Sequence, residues 1–116
     1  MDFDSYEELF AALGEASGVL TVQMGQLRDA HGAGKLGVNV VAGISEELAS
    51  RGLAHYPARL PLNQWESARI YRNGSPVARL IKAVLTVDDE SDAVLRTAVG
   101  NDSTETLRKI KELVCD

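Results

Sequence analysis

Gly32-Ala33-Gly34-Lys35-Leu36 is the first stretch whose residue types could do chemistry, because glycine amides and a lysine together cradle phosphates. A phosphate loop also needs a glycine five residues before its last glycine and a hydroxyl after the lysine. Those positions hold Asp29 and Leu36, and the stretch follows a helical pattern where a phosphate loop follows a strand. Gly32 and Gly34 therefore read as turn glycines supplying positive φ. His31, His55 and Cys115 could ligate a metal, yet no closely spaced Cys or His pair is present and no metal site is expected. His31 closes a helical stretch, where a cation meets the negative end of the helix dipole. His55, beside Tyr56, reads as a strand-edge residue. Asp88, Asp89, Glu90 and Asp92 form the densest acidic run; it lacks the glycine and distal glutamate of a calcium loop and fits the positive start of a helix. No nucleophile, base and orienting group converge in this pattern, so the expectation is a protein that is not an enzyme and needs no cofactor.

Elements of ordinary globular composition must position these residues. The chain has 116 residues, 45% hydrophobic and 25% charged, which suits a single domain with its own core. No run approaches the ~18 apolar residues of a membrane span. The first residues are acidic where a signal peptide would be basic, and Cys115 has no partner for a disulfide, so a cytoplasmic setting is expected. The net charge of -5 is unevenly spread: residues 18–82 carry eight basic against four acidic residues, between acidic ends. A basic middle can meet a polyanion locally although the whole chain opposes it.

Ser5-Tyr6-Glu7-Glu8 fits a capping box, and the helix after it should bury Leu9, Phe10 and Leu13 before Gly14 ends it. Ser17-Gly18 reads as a turn, and Thr21 as the cap of a second helix over 22–31. A third helix, 38–51, carries an apolar stripe of Val40, Val41, Ile44 and Leu48, and Gly52 closes it. Residues 54–65, with Pro57 and Pro61, read as an irregular extended arm anchored by Trp65. Glu66 to Tyr71 alternates like an edge strand, and Arg72-Asn73-Gly74 makes a turn. Ser75-Pro76 starts a helix over 76–87 that should bury Val77, Leu80, Ile81, Val84 and Leu85. An acidic helix then runs to Val99, and Asp102 or Ser103 caps a last one with Leu107, Ile110, Leu113 and Val114. The fold class is mainly α with a small β-wing, an α+β chain in one domain: a core over 18–72 and C-terminal helices over 75–116.

That order resembles a winged helix-turn-helix across about residues 18–72. Leu20 to Gly32 is similar to the first helix of the motif. Residues 36–53, ending Glu47-Leu48-Ala49-Ser50-Arg51-Gly52-Leu53, are similar to its recognition helix, and His55-Tyr56 with Ala68 to Tyr71 to its wing strands. The resemblance implies a helix in the major groove and a wing on the phosphate backbone. Lys35, Asn39, Arg59, Arg69 and Arg72 are then the candidate DNA contacts, with Asn39 able to pair with an adenine edge and Arg72 at the wing tip. A second reading competes. The outward helix face of Asn39, Ala42, Glu46, Ala49 and Ser50 has no arginine, and Glu46 suits DNA poorly. Ala42, Glu46, Ala49 and an exposed Trp65 would instead serve a protein partner. The partners expected are duplex DNA or a protein, no membrane, and a second copy through the C-terminal helices.

Overall fold

The computed structural model describes residues 3–100 and is an α+β protein. In chain order it runs α1 (Tyr6–Glu15), β1 (Val19–Gln23), α2 (Met24–His31), α3 (Val38–Ser50), β2 (Leu53–Tyr56), β3 (Ser67–Arg72), α4 (Pro76–Leu85) and α5 (Asp89–Gly100). The strands form one antiparallel sheet in the order β1-β3-β2. Two compact units divide the chain, Met1–Ala78 and Arg79–Asp116, with the division inside α4. The expected helix with Leu107, Ile110, Leu113 and Val114 lies outside the described residues, as does Cys115.

The caps explain most of the first unit's boundaries. Ser5 Oγ accepts the Glu8 amide at 3.1 Å, as the capping box requires, but the Glu8 carboxylate takes the Asp4 N–H rather than that of Ser5. α1 runs through Gly14 and ends one residue beyond it. Gly18, at φ +88°, donates to the Leu13 carbonyl at 2.7 Å and turns the chain into β1. Here the structure corrects the expected second helix. Val19–Gln23 is a strand, Thr21 lies within it, and α2 starts at Met24 behind a capping box of Gln23 and Gln26. The alternating Val-Leu-Thr-Val suits a strand, and pairing with β3, more than forty residues later, holds it extended. Gly32 ends α2 at φ +76° and Gly52 follows α3 at φ +76°, both as expected. Gly34 has no positive φ and needs none.

One face of the sheet and three helices enclose the core of this unit. Leu9 and Leu13 of α1, Met24 and Leu27 of α2, and Ile44 and Leu48 of α3 are fully buried. Each such side chain contributes about 1.5–3 kcal/mol relative to leaving it in water. Along the strands, Val22, Leu53, Ala68 and Ile70 point inward and their neighbours outward, the period of two that a one-sided sheet demands. Phe10, expected in the core, is 42% exposed. It faces the guanidinium of Arg72 instead, whose central carbon lies 4.8 Å from the ring centre.

At the end of the first unit, Ser75 caps α4 as expected, accepting the Ala78 amide at 3.1 Å. Asp88 caps α5 through the Ser91 amide at 2.6 Å, and these hydrogen bonds hold its carboxyl below the usual range. The expected burial of α4's whole apolar stripe is not observed. Ala83 is buried, whereas Leu80, Val84 and Leu85 are exposed. The described part of the second unit holds only the rest of α4 and α5, and α5 buries no residue of its own, too little to cover so wide a stripe.

Candidate nucleic-acid interface

Six basic residues lie in the first unit's described part, and the fold sorts them into engaged and free. Arg28 pairs with Asp29 at 3.1 Å and donates to the Gln64 side-chain carbonyl. Arg51 pairs with Glu47 at 2.9 Å, one helical turn away, and stands 5.1 Å over the Tyr6 ring. Arg72 packs on Phe10, approaches Gly14 so closely that a Cβ there would lie 3.2 Å from Nη2, and keeps its Nε buried without a partner. Lys35, Arg59 and Arg69 are exposed and have no hydrogen bond or ion pair among the described residues.

Arg72 does not sit at the wing tip. It opposes Leu53, the first residue of β2, whereas Arg69 opposes Tyr56 where the hairpin opens into loop 57–66. The tip is thus about 10 Å away along the strand, at ~3.3 Å per residue. The helix face behaves as the periodicity predicts: Asn39, Ala42, Glu46, Ala49 and Ser50 are all exposed, while Val41, Ile44 and Leu48 are buried. Asn39 stands in the first turn of α3, and Lys35 in the turn before it.

A clamp fixes the hairpin against α3. His55 Nε2 lies 2.7 Å from Ser45 Oγ, and His55 Nδ1 lies 2.8 Å from the Pro57 carbonyl. A carbonyl only accepts, so Nδ1 carries the ring proton and Ser45 donates its hydroxyl to Nε2. A serine hydrogen-bonded to a neutral, oriented imidazole is also how a nucleophile is activated. Ser45, however, lies mid-helix, where backbone amides are bonded along α3 rather than presented to an oxyanion. The pair instead ties strand to helix. β2 thus runs back along α3 from its C-terminal end as far as Ser45, and loop 57–66 follows β2. Lys35 and Asn39 stand at the start of α3, and Arg59 stands in the loop after β2; all three are exposed.

The other arm of the loop is held by α2. The first two amides of that helix, otherwise orphaned, donate to loop carbonyls: Met24 to Glu66 at 2.9 Å and Gly25 to Gln64 at 3.0 Å. Trp65 lies between those two carbonyls, with its own amide on Asn63 Oδ1, and is 71% exposed. The expected anchoring role of Trp65 is therefore wrong; the backbone anchors the loop and the indole faces solvent. Leu62 of the same loop is also exposed.

Arg69 belongs to a different surface. It points from the sheet face opposite the helices, with Thr21 and Tyr56 directly beside it on the neighbouring strands. Among the described residues no group of three His, Cys, Asp or Glu stands ready to hold a metal ion, and no helix is long and apolar enough to cross a membrane. Comparison with family models, curated proteins and solved structures finds no match to this chain.

Proposed function

We propose that the first unit is a winged-helix-type module that binds duplex DNA, a non-enzymatic, cytoplasmic regulator. The order helix, strand, two helices, then a hairpin, in a sheet ordered β1-β3-β2, supports that architecture. The carrying observation is the sorting of the cations. Arg28, Arg51 and Arg72 are engaged within the first unit, while Lys35, just before α3, and Arg59, in the loop after β2, have no partner among the described residues and Asn39 is exposed in the first turn of α3. In this reading α3 lies in the major groove, its small residues Ala42 and Ala49 permit close approach, and Lys35 and Arg59 hold phosphates. Glu46 faces the same groove and selects against phosphate at its own position. Leu80, Val84 and Leu85 of α4 would pair two copies, so that two recognition helices meet two half-sites.

A specific observation favours a second reading, a protein-docking module: Trp65 is exposed on a backbone that hydrogen bonds hold from both sides. One titration separates the two. Anisotropy of a fluorescent random duplex at about 50 and 200 mM salt should show binding that weakens steeply. The Lys35→Ala/Arg59→Ala double variant should lower the log–log salt slope by about 2, near 0.9 per lost phosphate contact. Absence of binding by the folded protein at low salt, or an unchanged slope in the variant, refutes the duplex reading.

A further inference from the structure

We propose that the outer face of the sheet is a second binding surface, a stacking platform for single-stranded nucleic acid. The strand register places its residues in rows across the three strands. Thr21, Arg69 and Tyr56 form one row, and Val19, Tyr71 and Ala54 the next. Tyr56 is exposed and Tyr71 half-buried. Tyr71 is two residues beyond Arg69, so the two tyrosines are diagonal neighbours, with about 7–8 Å between their positions. Arg69 neighbours both, opposite Tyr56 and two residues before Tyr71, and has no partner among the described residues.

Charge selects the occupant. The face carries one cation and no acid, since the remaining outward positions are Gln23 and Ser67, on a chain whose net charge is -5. A strand face of two phenol rings, one guanidinium without a partner among the described residues and several hydroxyl or amide groups matches a ligand with flat apolar faces joined by anions. Single-stranded nucleic acid is that ligand, because any base offers a π-face to a ring while the backbone meets the arginine. A duplex hides those faces in its own stack and cannot use the platform. This surface is opposite the helix layer, so the inference does not depend on the reading of α3.

Anisotropy with fluorescent oligo-dT and oligo-rU at low salt, beside a random duplex, tests it on the full chain. Wild-type protein should bind the single strands. Tyr56→Ala/Tyr71→Ala should weaken that binding at least tenfold, at fivefold or more per lost stacking ring. Arg69→Ala should flatten its salt dependence. Duplex binding should change less than twofold in all of them, whereas Lys35→Ala/Arg59→Ala should do the reverse. If the double tyrosine variant fails to fold, Tyr56→Ala and Arg69→Ala, both at exposed positions, carry the same test, and Tyr71→Phe should retain affinity. No single-strand binding by the folded wild type, or affinity indifferent to Tyr56 and Arg69, overturns the proposal. Saturable capture of a protein at this face that ignores oligonucleotide competition overturns it equally.

Discussion

Tyr6→Phe should cost the protein stability at neutral pH and repay it in alkali, and both halves follow from one hydrogen bond. The Tyr6 hydroxyl lies 2.7 Å from His31 Nδ1, while the ring is buried and edge-on to the imidazole. Phenylalanine keeps the ring under Arg51 and loses only the hydroxyl, so at pH 7 the cost is about 1 kcal/mol. Burial, with the Glu47 carboxylate nearby, pushes the phenol up from 10.0 to about 12 against the opposing pull of Arg51. The neutral form is therefore favoured in the folded state. Its contribution is complete below pH 10 and is lost as pH rises from 10 towards 12. At pH 11 the unfolded phenol would be mostly ionised and the folded one mostly neutral, a loss near 1.4 kcal/mol in the wild type. Phenylalanine has nothing to lose there. Urea unfolding of both proteins from pH 7 to 11 should give stability curves that cross between about pH 10 and 11. A difference between them that stays constant across that range would refute the assignment of a buried phenol at the junction of α1, α2 and α3.

The same junction couples to α3, where a Cβ on Gly43 would lie 3.1 Å from His31 Nε2. Gly43→Ala should gain about 1 kcal/mol of helix propensity and lose a similar amount by displacing the imidazole that Tyr6 holds. Alone it should be nearly neutral, but in the Tyr6→Phe background, where His31 can give way, it should stabilise by about 1 kcal/mol; additive chemical-denaturation energies would sink this. Ser45→Ala should cost about 0.5–1.5 kcal/mol, and long-range proton–nitrogen NMR of the wild type should find His55 as the Nδ1–H tautomer; a proton on Nε2 in the neutral ring would show that the clamp runs the other way. Trp65→Ala should change stability by less than about 0.5 kcal/mol, and the wild-type indole should be freely quenched by acrylamide; a shielded indole or a large loss would return Trp65 to its anchoring role.

Local chemistry made the helices legible. The stripe of α3, the Ser5 and Ser75 caps, and Gly52 after α3 are all decided within a turn or two of chain, where spacing and cap type carry the information. β1 was not legible for the opposite reason. Thr21 followed by Val22 and Met24 reads locally as a capped helix, and only the ladder to residues 67–71 overrules it. Phe10 and Arg72 belong together: residue type alone suggests the core for one and a wing tip for the other. The strand register puts the arginine at the base of the hairpin, where the ring covers it.

The candidate site divides along the same line. Lys35, Asn39 and Arg59 are legible as exposed polar residues, whereas the Ser45–His55 clamp that ties β2 to α3 is a contact that nothing in the spacing announces. Arg69 is legible as a cation but its surface is not, because a strand's alternation says which residues share a face but not which face the helices will cover. Once that face is known, the described cations of the first unit without a partner fall into two groups: Lys35 before α3 and Arg59 in the loop after β2, and Arg69 on the outer sheet face next to Tyr56 and Tyr71. The first arrangement suits the outside of a duplex and the second the bases of an opened strand. If both proposals hold, variants on opposite layers should affect the two ligands independently.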